Sequence, residues 1–187
     1  MRKSILFTTL LIALFSCKNE EEKIVDVSSE TEKQNGILKR EFYEKEKLKK
    51  TLEYVNLCGK DYLNQGWYFK ENGDTIENKS HFCKIKIEKN VLKQLEKTKV
   101  TMIYKPLLKN TISGILLCRE NNIDYCELDN KKCDTAYFVN NRLDLSLGFK
   151  NKGKVKVTGY VLEVSGKLKN GKYDERKLYF TLNFNVK

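Results

Sequence analysis

The stretch VKVTGYVLEV (residues 155–164) is followed by Lys169-Asn170-Gly171-Lys172 and then by YDERKLYFTLNFNV (residues 173–186). Both flanks are rich in β-branched and aromatic side chains, which suit a pleated surface. Asn-Gly is the favoured pair for a type I′ turn, whose two central residues both need positive φ. The pattern predicts a β-hairpin. Upstream, residues 82–88 alternate Phe82, Lys84 and Lys86 with Cys83, Ile85 and Ile87, a half-buried strand, and Leu143, Leu145 and Leu147 share one face of residues 143–149. Residues 67–69, 100–105, 112–118, 123–128 and 136–139 add further short runs. Asn72-Gly73 marks another turn, and residues 91–97 read as one or two helical turns.

About eight short strands in a chain with one proline, Pro106, predict an all-β fold. The expected architecture is an antiparallel β-sandwich of immunoglobulin-like shape over residues 58–187. The cysteine and tryptophan spacing of antibody domains is not recognisable, so strand rhythm alone carries this expectation. At 40% hydrophobic and 33% charged residues the composition is that of a folded chain. The basic character lies in the folded part: residues 58–187 hold 25 Lys and Arg against 15 Asp and Glu. Such a surface favours polyanions, although the lysines form no single short basic block and nucleic acid is not the expected partner.

The N-terminus is of another kind. Arg2 and Lys3 precede an apolar run, residues 5–15, too short to cross a bilayer as a helix, which needs about 20 apolar residues. Residues 1–16 therefore read as a signal peptide. Leu14-Phe15-Ser16-Cys17 resembles the lipobox of bacterial lipoproteins, which implies lipidation of the Cys17 sulfur and cleavage before it. The following Lys18-Asn19-Glu20-Glu21-Glu22-Lys23 resembles the surface-export signal of Bacteroidota lipoproteins. That resemblance implies a lipid-anchored protein on the outer face of the outer membrane, with its periplasmic face as the alternative. Residues 17–36 then form a flexible polar tether.

Residues 37–57 fit either a hairpin or a helix as lead-in. Leu48, Leu52 and Val55 fall at helical spacing, while Phe42-Tyr43 and Leu52, Tyr54 suit strands around a turn at residues 44–47, the preferred reading. Residues 41–49 resemble the β-hairpin units of MORN-type repeats, and residues 68–73 a second partial copy. Two imperfect copies do not make a repeat array.

With Cys17 lipidated, Cys58, Cys83, Cys118, Cys126 and Cys133 remain. Export permits disulfides, and the pairs expected are Cys126 with Cys133 and Cys58 with Cys83. The alternative is that the thiols stay unpaired and some are buried as small apolar residues. No C-x2-C spacing supports a metal site. Ser80 and the one histidine, His81, lack the sharp glycine-flanked turn of a nucleophilic serine, and His81 reads as a surface or loop residue. The carboxylates Asp61, Asp74, Glu77, Asp124 and Asp144 fall mostly in turns. No phosphate loop or dinucleotide fingerprint occurs, and no cofactor is expected. Trp67, Tyr68 and Phe69 form a candidate ligand platform, with a core and cross-strand role as the alternative.

The chain is thus expected to be a non-enzymatic envelope lipoprotein whose β-domain binds an envelope protein, a glycan or another polyanionic ligand. An inhibitor or immunity-type lipoprotein is the alternative, and a carboxylate-dependent hydrolase a more distant one.

Overall fold

The computed structural model describes residues 33–34, 37–108, 111–121, 123–169 and 171–187. The signal peptide, Cys17 and most of the tether lie outside the described residues. Among the described residues twelve strands carry nearly all of the regular structure: β1 (Lys33–Gln34), β2 (Ile37–Glu44), β3 (Lys47–Leu57), β4 (Lys60–Tyr68), β5 (Phe82–Ile87), β6 (Val91–Leu92), β7 (Lys97–Lys105), β8 (Thr111–Cys118), β9 (Asp134–Tyr137), β10 (Arg142–Gly148), β11 (Gly153–Lys169) and β12 (Lys172–Val186). One 3₁₀ turn, Tyr125–Asn130, interrupts them. Among the described residues no helix is long and apolar enough to cross a membrane.

A three-stranded sheet, β10-β7-β5, faces a five-stranded one, β6-β12-β11-β8-β9. In chain order β5, β7, β8, β10, β11 and β12 occupy the A, B, C, E, F and G positions of an immunoglobulin-like Greek key, and β9 pairs beside β8 as a C′ strand. Between the sheets lies the main core, with Val100, Met102 and Tyr104 of β7 meeting Val157 and Val161 of β11 and Leu178, Phe180 and Leu182 of β12. Each such side chain contributes roughly 1.5–3 kcal/mol by leaving water. Gly159 lets β11 lie close against β8 within the five-stranded sheet, because a methyl group there would sit 2.2 Å from the Leu116 carbonyl oxygen.

Strands β1 to β4 form a separate antiparallel meander. Residues 37–57 are its central hairpin: Lys45 and Glu46 both take positive φ, the geometry a type I′ turn requires. The lead-in does not end at residue 57, because Cys58-Gly59 turns β3 directly into β4. Lys33–Gln34, expected in the tether, already pairs with β2. Of the two MORN-like segments, residues 41–49 form a hairpin, whereas residues 68–73 leave β4 and enter a tight turn in which Phe69 bridges Thr75.

The C-terminal hairpin forms as expected, running Val164 to Gly153 against Glu175 to Val186; Asn170 lies outside the described residues. Two local expectations fail. Residues 91–97 are not helical, since Val91–Leu92 pair in parallel with the end of β12 before a turn. Residues 123–128 do not form a strand, because the Asp124 side chain accepts a hydrogen bond from the Cys126 N–H and starts the 3₁₀ turn.

Candidate interaction face

Sequence-selected positions fall into three groups. Trp67, Tyr68 and Phe69 are each half-buried. The Trp67 ring stacks on Phe82 with centroids 5.8 Å apart, and the Tyr68 N–H donates to Ser80 Oγ at 3.0 Å. These residues close the seam between the meander and the three-stranded sheet. The carboxylates do not converge either. Asp61 pairs with Arg40, Glu77 with Lys105, and Asp144 accepts from Thr101 and Arg142, while Asp74 hydrogen-bonds Asn72 and Asp124 caps the 3₁₀ turn.

The cysteines pair differently from either expected bridge. Cys58 joins Cys126, and Cys118 joins Cys133, leaving Cys83 buried and free. The reason is tertiary. Cys58 sits at the meander turn that lies over the 3₁₀ segment, and Cys118 ends β8 next to the segment that leads into β9. Cys83 points into the core of the sandwich, where burial pushes its thiol up to about 12.

His81 is also corrected: it is 4% exposed and bridged through its backbone to Gly66, and its ring nitrogens are buried with at most a weak contact to the Lys79 backbone. Burial first, and then the nearby positive charge of Arg176, hold it down at about 4. It belongs to a buried polar seam. Glu163 accepts from the Tyr104 hydroxyl at 2.6 Å and the Leu108 N–H at 2.7 Å, and Arg176 donates to the Asn64 carbonyl at 2.6 Å.

The outer face of the five-stranded sheet differs from an ordinary solvated one. Registers of β12, β11, β8 and β9 place Tyr179, Tyr160, Leu116 and Thr135 in one row. The next row holds Lys177, Leu162, Gly114 and Tyr137, and the row after it Glu175, Val164 and Ile112. The meander covers the first of these rows. Val55, Ile37, Leu57 and Tyr62 pack there with Tyr160, Tyr179, Ile123 and Leu128 into a second core. Beyond it Leu162 is still half-buried against this core, and the open surface begins towards β9 and the start of β8. Ile112 is 68% exposed, and Tyr137 and Val139 are each 72% exposed. Val139 extends the open surface along the chain that follows β9, because Phe138 donates its N–H to the Ser113 carbonyl and so sets Val139 beside Ile112.

Gly114 shapes this surface. Lacking a side chain, it lets the Tyr137 ring lie across β8, where a methyl group would meet the ring at 3.3 Å and the Ala136 carbonyl at 3.1 Å. A cleft of about 160 Å³ runs between Ile112, Leu116, Tyr137, Tyr160, Leu162 and Val164.

The two edges of this sheet are treated unequally. On β12, the Asn64 side chain donates to the Tyr179 carbonyl and accepts from the Tyr179 N–H at 2.9 and 2.7 Å, and the Tyr62 hydroxyl donates to the Lys177 carbonyl at 2.9 Å. These side chains satisfy backbone groups that a neighbouring strand would otherwise take. Among the described residues no strand covers the outer edge of β9. Sequence reasoning missed this site because its residues come from strands far apart in the chain, and because their exposure depends on where the meander stops. The chain matches no protein-family model, no curated protein and no solved structure, so its function is to be read from its own residues.

Proposed function

We propose that this chain is a non-enzymatic lipoprotein of the bacterial envelope. In this reading Cys17 carries the lipid, the anchor sits in the outer membrane, and the β-domain is displayed at the cell surface, where it binds another protein. The sequence features that support the anchor are the charged start, the short apolar run and the lipobox-like Leu14-Phe15-Ser16-Cys17. The observation that carries the binding reading is the open apolar surface of Ile112, Tyr137 and Val139 beside the uncovered edge of β9.

The composition of that surface favours a protein partner. An aromatic side chain flanked by aliphatic ones is typical of the desolvated centre of protein interfaces, where Tyr is enriched. An open strand edge adds directional hydrogen bonds for an extended segment of the partner.

The test is site-specific photo-cross-linking in cells that produce the full chain. A photoreactive residue at position 137 is expected to give a discrete adduct, and one at exposed Lys150, at the far end of the sandwich, is expected to give none. Ile112→Glu should abolish the adduct while the protein stays folded. An adduct that persists unchanged in the Ile112→Glu chain would refute the binding surface. For the anchor, metabolic lipid labelling should be lost in Cys17→Ala, and retention of the label would refute lipidation there.

A further inference from the structure

The opposite outer surface of the sandwich, on β10-β7-β5, has different chemistry. In this sheet the alternation is clean: Cys83, Val100, Met102, Tyr104 and Leu147 point into the core, and the residues between them point out. Registers align Lys84, Ile103 and Arg142 in one row and Lys86, Thr101 and Asp144 in the next, with Lys99 opposite Ser146 beyond them. A groove of about 550 Å³ runs over these rows, lined by Lys84, Lys86, Lys99 and Arg142 and by one carboxylate, the exposed Glu88, so cations outnumber acids in its lining.

Asp144 is fully engaged by its neighbours. It accepts from the Thr101 hydroxyl at 2.6 Å and from Arg142 at 3.2 Å, with Lys99 Nζ 3.5 Å away. Its charge is thereby shared among two cations. Lys84 and Lys86 make no ion pair with any described residue, although they are next-but-one neighbours on an edge strand. Like charges at this spacing, about 7 Å along a strand, repel each other. They are tolerated because both side chains are exposed to water and salt.

We propose that this groove binds an anionic polysaccharide, with Lys84, Lys86, Lys99 and Arg142 as the groups that contact its carboxylate, sulfate or phosphate substituents. Each exposed cation alone is a weak ligand. Several acting together on a polymer gain from the release of its condensed counterions. The backbone positions that carry these cations are about 7 Å apart along β5 and about 10 Å apart across the two strand spacings from Lys84 to Arg142, so they spread over a length that suits a chain carrying repeated charges better than one small anion. The centre of the groove is Ile103, which is aliphatic and 45% exposed, so no aromatic face is offered there for stacking nucleic-acid bases.

The test measures binding of the full, detergent-solubilised chain to immobilised polysaccharides as a function of salt. The probes are a sulfated glycan, a polyuronate, a phosphorylated glycan and neutral dextran, with single-stranded oligonucleotide and anionic lipid vesicles in parallel. Binding to at least one anionic glycan and not to dextran is expected, and the glycans retained identify the substituent. Lys84→Glu with Lys86→Glu should weaken that binding at least about tenfold and lower the salt slope by about 2. Lys150→Glu with Lys152→Glu makes the same change in net charge away from the groove and should alter affinity less than twofold. Equal losses in the two double variants, no glycan binding at physiological salt, or tighter binding to oligonucleotide or vesicles than to every glycan would each overturn the proposal. The cross-link from position 137 should be unaffected by the Lys84 and Lys86 changes, so the two surfaces are tested independently.

Discussion

The two outward faces of the sandwich use the same backbone rule to opposite ends. On β5, β7 and β10 successive residues alternate between core and water, so the outward positions read Lys84, Lys86, Lys99, Thr101, Ile103, Arg142 and Asp144, and Ile103 is their one large apolar side chain. On β8, β11 and β12 both parities are apolar over part of their length: Ile115, Val161 and Leu178 face the main core, while Leu116, Leu162 and Tyr179 face away from it. Strands that are apolar on both faces need two partner layers. The meander supplies the second layer over Tyr160 and Tyr179 but stops short of Ile112, Tyr137 and Val139. Incomplete cover on one face and full solvation on the other therefore create two kinds of surface, one apolar with an open strand edge and one charged.

The most damaging way to break this contrast is to force the five-stranded sheet itself apart. In Gly159→Ala the new methyl group meets a backbone carbonyl, which cannot swing away, and Phe180 besides. A loss of about 4 kcal/mol or more is expected, measured by denaturant unfolding. Wild-type stability in this variant would show that β8 and β11 do not approach as closely as described.

Releasing the cover comes next. Cys58 and Cys126 are 68 residues apart in sequence, so replacing both by Ser should cost about 4 kcal/mol through regained chain entropy in the unfolded state. The meander should also loosen locally, and binding of an apolar dye should rise as Tyr160 and Tyr179 become accessible. An unchanged dye signal with intact secondary structure would mean that the second core holds without the bridge. Alkylation should leave Cys83 unmodified in the folded chain and modify it after unfolding.

His81 sharpens the comparison at the seam between the layers. Its folded-state value lies near 4, below its ordinary 6.5, so between these limits the unfolded chain binds a proton that the folded chain refuses. Stability should therefore be full above pH 6.5 and fall as the pH drops towards 4, by on the order of 3 kcal/mol in total. His81→Phe should flatten that part of the profile. An identical slope in the variant would assign the pH dependence to other groups. The smallest effects belong to the open surfaces, where Lys86→Gln or Ile112→Ser should change stability by no more than about 0.5 kcal/mol in chemical denaturation. A larger loss in Ile112→Ser would show that this residue is packed rather than open.

Much of the sandwich was legible where short-range chemistry dictates geometry. The last turn falls where Gly171 takes positive φ between paired Lys169 and Lys172, and the alternation of Cys83, Ile85 and Ile87 with lysines identifies which face of β5 is inward. Legibility failed where a distant partner decides. Val91–Leu92 is too short for any period to show and is a strand only because the end of β12 lies beside it. Ile123 and Leu128 have strand-forming composition, yet the Asp124 side chain caps a 3₁₀ turn there, with Cys126 inside the turn tied to Cys58 and the Cys118–Cys133 bridge closing the loop around it. His81 is buried because Gly66, lying against it, has no side chain, and nothing local to Ser80-His81 signals that. The disulfide partners and the exposure of Tyr137 are likewise tertiary facts. The aromatic run at Trp67 was conspicuous in the sequence, but the seam it packs against takes up its surface.

Whether the uncovered residues around Tyr137 form the working surface is decided by hydroxyl-radical footprinting of the full chain in intact cells and after purification. Tyr173, 53% exposed on β12, serves as the internal reference. Tyr137 oxidation, relative to Tyr173, is expected to be several-fold lower in cells than in the purified chain, because a partner covers it. Equal relative oxidation of Tyr137 in both preparations would show that no partner occupies this surface.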